Sequence, residues 1–469
     1  MGMDLLAILS TGSASLAAHR AAAAVASHNI ENVNTPGYAR QRAELAAVVP
    51  ADYVGGGYIG RGVQLTTVSQ VRDRFLEAQI PGAIGSSARS AAEAQALEGV
   101  AALDPQASGN LADALAGFYA ALRALGQSAG NTQLRQAAVS SAKSLAMAFQ
   151  RTGGSLEQAR TGLDAQLRGQ AAEVNQLAGQ VARLNGDIRA ARATGGEPND
   201  LLDARQAAMD RLSELVGAVP VADASGDVNV SLGGGVSLVT GNLAGSLQLA
   251  ADPANGGHLA VKLALPGSTS GSTLAAGTFG GALGGALDAR DGALARASQR
   301  VDQLAYDLAG AVNAVHQAGY GLDGASGRSL FDVGTGATGA ASRITVSAAV
   351  AADPRALAAA SSAAALPGDA SSLQALVATE RQALSGGSDA STTLADITSQ
   401  FGASSQSARA VADQDGALRD HLRSMRDGAS GVSIDEELIE LQKAQRAYEA
   451  VAKVIQTSSE MLATLLNLR

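Results

Sequence analysis

Two glycine-framed segments and five histidines are the residues of this chain whose types and spacing could do chemistry. Gly126-Gln127-Ser128-Ala129-Gly130 has the spacing of a nucleophile elbow, in which a serine is thrust out of a sharp strand-to-helix turn. Helical periodicity flanks it on both sides, so small residues linking two helices account for it. Gly55-x-Gly57-x-x-Gly60 has the spacing of a dinucleotide fingerprint, which needs a strand before it and a helix after it to hold pyrophosphate. β-prone residues follow instead, so these glycines read as a hairpin turn. His19, His28, His258, His316 and His421 include no pair at metal-ligand spacing, and exposed or partly buried side chains are expected for all five. No lysine closes a phosphate loop, and Asp413-x-Asp415-Gly416 lacks the other ligands of a calcium loop. The sequence therefore offers no catalytic residue, no metal site and no cofactor site.

Composition narrows the classes further. The 469 residues are 46% hydrophobic but only 3% aromatic, with no tryptophan, so a core must be built from Ala, Leu and Val. A net charge of −9 argues against an electrostatic nucleic-acid binder. Zero cysteines remove disulfides, thiolate metal sites and a cysteine nucleophile together. The first residues have no basic region, carry Asp4 early, and their apolar run is too short for a cleaved export signal. No stretch of 18 apolar residues occurs, so no membrane insertion is expected.

Positioning falls to helices at both chain ends. Stepping by four and three from Leu5 through Leu9, Gly12, Leu16, His19, Ala23, Ala26, Ile30 and Val33 traces an apolar seam over 4–33, as narrow as that of a coiled coil. Gly12 weakens that helix by roughly 1 kcal/mol relative to alanine. Thr35-Pro36-Gly37-Tyr38 fits a type II turn. Residues 41–72 read as extended. Residues 73–216 read as helices punctuated at Pro81, Pro105, Gly126 and Gly195-Gly196, the last helix capped by Asn199-Asp200. Alternating runs broken by glycine clusters mark 217–285 as β, and helical period returns at 286–318. A β and loop region follows, then Ala/Ser-rich helical sequence with weak caps to 430. From Ile434 the same stepping gives Leu438, Leu441, Gln445, Tyr448, Ala452, Ile455, Ser459, Leu462 and Leu466, started by a Ser433/Glu436 capping box.

The expected fold is mainly α with a β insertion. Terminal coiled-coil helices (1–40 and 431–469) enclose a discontinuous helical bundle and a small central β-domain. The bundle comprises 41–216, with a β-hairpin segment, and 286–430; the β-rich outer domain is 217–285. Leu5, Leu9, Leu16, Ile30, Val33, Leu438, Leu441, Tyr448, Ile455, Leu462 and Leu466 form the expected assembly interface, because two seams at opposite ends of one chain suit pairing with each other and then with further copies.

Residues 16–41, LAAHRAAAAVASHNIENVNTPGYARQ, resemble the N-terminal signature of the axial (rod and hook) proteins of the bacterial flagellum, a helix ending in an Asn-rich TPGY stretch. Ser27, Asn29, Ile30, Asn32, Asn34, Thr35, Pro36, Gly37 and Tyr38 carry the match, and Glu31 departs from it where a small residue is usual. Residues 431–468 resemble the C-terminal signature at Gly431, Val432, Ser433, Asp435, Glu436, Glu437, Gln445, Tyr448, Ala450, Ile455, Leu462 and Leu468. Between them, three stretches are similar to the hook-associated proteins of the hook–filament junction. These are Asn199-Asp200-Leu201-Leu202-Asp203-x-Arg205, Gly280-Gly281-x-Leu283 leading to Arg290-Asp291, and Val312-Asn313-Ala314-x-His316-x-x-Gly319.

The resemblance implies a non-enzymatic structural subunit joining hook to filament. It implies an extracellular place in the flagellum, reached by type III export without a cleaved signal. The partners it implies are further copies of the chain, the hook protein, the second hook–filament junction protein, and an export chaperone on the C-terminal helix. Nucleic acid is not among them. The alternatives are another axial protein (hook, rod or second junction protein) and an exported enzyme on an axial scaffold, which would need a catalytic cluster in 217–285. A cytoplasmic coiled-coil scaffold would have no use for the TPGY turn.

Overall fold

The terminal seam read over 4–33 lies on α1 (Gly2–Glu31). The computed structural model describes residues 2–35, 37–48, 52–54, 57–100, 103–104, 107, 109–223, 226–274 and 276–467; side chains are described in all of these except 2–7, 52–54, 57–59, 276 and 465–467. After α1, the Tyr38 N–H donates to the Thr35 carbonyl at 3.2 Å, and Gly37 adopts φ +81°, the positive value that a type II turn requires. Pro36 lies outside the described residues. The chain then runs out along β1 (Gln41–Ala47), folds the hairpin β2 (Asp52–Val54) and β3 (Gly57–Ile59), and returns along β4 (Val63–Gln70) antiparallel to β1. Gly57 thus sits in a hairpin strand, with no helix after it.

Four helices follow: α2 (Arg74–Glu98), α3 (Leu111–Gly126), α4 (Thr132–Ala193) and α5 (Asn199–Val216). Two expectations fail here. Pro81 does not interrupt α2, although an interior proline costs a helix about 3 kcal/mol. Leu76, Ile80 and Ile84 on either side of it bury against Leu422, and side-chain burial of roughly 1.5–3 kcal/mol each outweighs that cost. Asn199 does not cap α5. Pro198 occupies the cap position, and the Asn199 side chain turns away to the strand pair. The 62-residue α4 is started by Asn131, whose side chain accepts from the Gln133 and Leu134 N–H groups. Along it Phe149, Leu156 and Leu163, then Leu167, Val174, Val181 and Ile188, recur every seven residues and face the core.

At Gly217 the chain leaves the helices for the β-domain. One antiparallel sheet orders β5 (Val219–Ala222), β6 (Val228–Ser231), β7 (Ser237–Thr240) and β8 (Leu243–Ala244); a second orders β11 (Gly271–Thr273), β10 (Leu259–Ala264) and β9 (Ser246–Ala251). The exit and re-entry points touch. The Gly280 N–H donates to the Val216 carbonyl at 3.0 Å, and a Cβ at Gly217 would stand 2.6 Å from Gly280 Cα. Gly217 and Gly281 also adopt φ +65° and +58°, so this pinch demands glycine twice over.

The return half comprises α6 (Gly281–Asp288), a π-helical turn Ala289–Leu294, α7 (Ala295–Ala318), β12 (Phe331–Asp332), α8 (Ala340–Arg343), β13 (Thr345–Val346), α9 (Ala348–Ala352), α10 (Ser371–Ala378), α11 (Ala390–Ser430) and α12 (Ile434–Asn467). Asp389 caps α11 firmly, accepting from the Thr392 N–H at 2.9 Å, against the weak caps expected there. α2 packs against α11 and α6, α4 against α3, α5 and α7, and α12 against α1. One apolar cluster runs from Ala94 to Ala408 through both bundle halves and the β-domain. The fold is mainly α with a β insertion. No helix among the described residues is long and apolar enough to cross a membrane.

Candidate functional site

The paired ends meet on a face rotated from the expected seams. On α1 the residues turned inward are Gly12, Ser15, Ala18, Ala26 and Asn29; on α12 they are Glu437, Leu441, Ala444, Val451, Ile455, Ser458 and Leu462. Four-three stepping survives, but alternate positions move by one residue: Leu16 gives way to Ser15, Ile30 to Asn29, Leu438 to Glu437. The reason is steric. A Cβ at Gly12 would lie 2.6 Å from Ile455 Cγ1, so α1 approaches α12 through its smallest residues. Gly12 is the hole that Ile455 fills, and its helix cost is the price of that approach.

Of the expected interface, Leu441, Ile455 and Leu462 are half-buried in the pair, and Leu9, Leu16, Ile30 and Val33 are half-buried on α1 and its C-terminal turn. Leu438 and Tyr448 are not covered; each is 42% exposed. The Leu5 and Leu466 side chains lie outside the described residues. Exposed beside Leu438 and Tyr448 are Ile434, Ile439 (53%), Val454 (53%) and Met461 (57%) on α12, with Ile8 on α1. The pair thus closes through small residues of α1 against Val451 and Ile455 of α12, and leaves several large apolar side chains of α12 facing outward.

At the base of the pair Asn29 is fully buried and makes four hydrogen bonds. Its Nδ2 donates to the Gln41 carbonyl (2.8 Å) and Glu437 Oε2 (2.9 Å); its Oδ1 accepts from the Gln41 N–H (2.9 Å) and the Tyr38 hydroxyl (2.8 Å). One side chain therefore uses every donor and acceptor position an amide has in the plane of its neighbours. Burial, with the carboxylates of Asp203, Asp200 and Glu437 nearby, raises the Tyr38 phenol and keeps it a donor. Arg40 completes the tie, Nε donating to Glu437 Oε1 at 2.6 Å and Nη1 to Glu436 Oε2 at 2.9 Å. Glu436, expected to cap its own helix start, is thus engaged across the chain. Of the remaining motif residues, Asn32 donates to the His28 carbonyl at 3.0 Å, Thr35 donates to Asn32 Oδ1 at 3.2 Å, and Asn34 and Gly37 are exposed. Sequence reasoning overlooked the Arg40–Glu437–Asn29 contact. No sequence signal marked it, because Glu437 joins the seam only once the phase of α12 is known, and burying its charge then requires a partner.

The strand pair leans in turn on α5. Asn199 Nδ2 donates to the Val68 carbonyl at 2.9 Å, and Asp203 accepts from Gln70 Nε2 (2.8 Å) and Arg72 Nη2 (2.5 Å). Burial raises the Asp203 carboxyl against the opposing pull of Arg72.

The model of the flagellar hook-associated protein FlgK helical domain matches residues 100–331, and that of the C-terminal region of flagellar basal body rod proteins FlgEFG matches 428–468. The chain belongs to the FlgK family of flagellar hook-associated proteins. It is 28% identical to flagellar hook-associated protein 1 of Salmonella typhimurium over 68% of its length and 58% of that relative's. It is 27% identical to the protein of that name from Bacillus subtilis over 98% and 97% of the two chains. The solved structure of the flagellar hook junction protein FlgK from Burkholderia pseudomallei superposes with a TM-score of 0.50 at 30% identity, covering 56% of this chain and 47% of that one. The match thus spans less than two thirds of the Salmonella protein and of the solved chain.

Inside the matched helical domain, the motif residues hold the β-domain and loops in place. Arg205 donates to Asn185 Oδ1 at 2.9 Å, and Asn185 Nδ2 donates to the Val228 carbonyl at 2.9 Å. Buried Arg290 binds Asp164 and grips Asp291 with Nε and Nη2 (2.9 and 2.7 Å). Asn313 donates to the Phe331 carbonyl and accepts from the Leu330 and Phe331 N–H groups, standing in for a strand partner.

Two histidines depart from expectation: His258 and His316 are buried. His258 Nδ1 lies 2.8 Å from Asp164 and Nε2 3.4 Å from Glu157, so both ring nitrogens face carboxylates and neither is left to activate a nucleophile. Burial would raise Asp164, but bonds from His258, Arg290 and the Leu259 N–H hold it below the usual range. His316 is fixed as one neutral tautomer, Nδ1–H donating to the Arg328 carbonyl (2.7 Å) and Nε2 accepting from the Ala358 N–H (3.0 Å). Ser128 sits in the turn between α3 and α4, its N–H donating to the Leu125 carbonyl at 3.0 Å, without the strand that an elbow needs. No group of three His, Asp or Glu among the described residues could hold a metal ion. The relatives are structural flagellar hook-associated proteins, not enzymes.

Proposed function

We propose that the chain is a structural subunit of the extracellular flagellum at the junction of hook and filament, assembling with its own copies through the paired terminal helices. The observation that carries this reading is the set of large apolar side chains that α12 leaves outside the pair: Ile439, Tyr448, Val454 and Met461 stay exposed although α1 already covers the inner face. An isolated soluble chain rarely leaves so many large apolar side chains on one helix, and covering them with neighbouring copies removes them from water. The names of its relatives, hook-associated protein 1 and hook junction protein, point to the same place. On this reading the hook protein and the second junction protein are its axial neighbours. An export chaperone covers the apolar flank of α12 before assembly, and the chain leaves the cell without a cleaved signal.

The experiment is immunogold labelling of intact flagella, together with sheared hooks and filaments from a strain deleted for the gene. Gold at the hook–filament boundary, and hooks without filaments in the deletion strain, support the reading. Label along the rod or the whole hook would assign the chain to another axial position.

A further inference from the structure

We infer that the contact between the strand pair β1–β4 and the first turn of α5 is a releasable joint about which the terminal helix pair swings relative to the helical body. The chain crosses between the two parts at residues 71–73 and 431–433. Apolar packing stops there. The main core cluster contains no residue of α1, β1, β4 or α12, and the second cluster joins α2 only to Leu422 of α11. What bridges the gap is polar: Asn199 to the Val68 carbonyl and to Gln41 Oε1 (3.3 Å), with Gln70 and Arg72 on Asp203.

That polar set is incomplete. Gln41 Nε2, Asn199 Oδ1 and Asp203 Oδ2 are buried at this contact with no protein partner, three of seven such atoms among the described residues. An unpaired donor beside unpaired acceptors suits bridging water, which needs two to four polar partners. Each unpaired buried group is penalised, and that penalty disappears when the joint opens to solvent. A contact of this kind loses little on opening, whereas an apolar core would lose its whole buried area. The inference stands whether or not the chain sits at the junction proposed above.

The absence of cysteine makes the test direct. Spin labels on Ala190→Cys and Gln442→Cys straddle the joint; labels on Gln166→Cys and Gln299→Cys lie within the body and give the width of a rigid pair. Double electron–electron resonance should give a distribution across the joint at least about twofold broader than the reference, or two distances. Gln70→Ala with Asn199→Ala should raise the open-to-closed ratio roughly tenfold, the change that about 1.4 kcal/mol produces. Far-UV melting of the body checks that this variant is folded. A joint distribution as narrow as the reference in the unsubstituted protein overturns the inference by itself. So does a folded double variant with an unchanged distribution.

Discussion

Replacing Asn29 by leucine removes a side chain that bonds to both β1 and α12 from α1. The Gln41 N–H and carbonyl lose their partner outright, while the Tyr38 hydroxyl keeps His28 Nδ1 at 3.0 Å and Glu437 keeps Arg40. Two orphaned backbone groups at about 1–3 kcal/mol each, less a small apolar gain, put the loss at roughly 2–5 kcal/mol. The loss falls on the terminal pair, because the body has its own apolar core. Hydrogen exchange read residue by residue should accelerate by about 30-fold or more in α1, β1 and the first turns of α12, with α4 and α7 unchanged. Asn29→Asp should be at least as damaging, since it loses both Nδ2 donors and sets a carboxylate against Glu437. A change below about 1 kcal/mol, or equal acceleration in α4, would refute the assignment of Asn29 as the tie.

Gly12→Leu should push α1 off α12 and cost about 1–3 kcal/mol of pairing, with much of it restored by Ile455→Ala; exchange rates in α1 read both. Burial lowers His316 below its ordinary value of 6.5, so the unfolded chain binds the proton more readily than the folded one. Its contribution is complete above about pH 6.5 and is lost as pH falls below that, so His316→Gln should flatten the acid side of a melting-temperature profile over pH 5–8. Ser128→Ala should leave motility, assembly and melting temperature unchanged; a motility defect in a normally folded variant would restore the elbow to consideration.

The elements set by local chemistry were legible in the sequence. The Thr35–Tyr38 turn needs only a glycine at positive φ, and the long seams announce α1 and α12 by period alone. The phase of those seams was not legible, because apolar counting favours Leu16, Ile30 and Leu438, whereas close approach selects Gly12, Ser15, Ala444 and Ser458. Pro81 misled for a related reason: a local cost was outweighed by packing on Leu422, a contact made across the chain. His258 and His316 looked unremarkable because their partners, Asp164 and the backbone at Arg328 and Ala358, are far away in sequence or lie in irregular loops. The Asn199–Arg205 motif was visible as a pattern, but its work of holding β4 and the β-domain appears only once α5 lies beneath them.

The central claim is that the outward apolar flank of the terminal pair is the surface by which copies assemble between hook and filament. Val454→Asp with Met461→Asp tests it most directly, because both side chains are more than half exposed and neither lies inside the pair. Burying each at an interface contributes on the order of 1.5–3 kcal/mol, and a carboxylate in its place must be desolvated instead. In a strain carrying only this variant, electron microscopy should show hooks without filaments, and immunoblots should find both the variant and flagellin in the medium. Lys453→Asp with Glu460→Lys, at neighbouring exposed positions, should leave filaments in place. Normal filaments on the Val454→Asp, Met461→Asp strain would contradict the account.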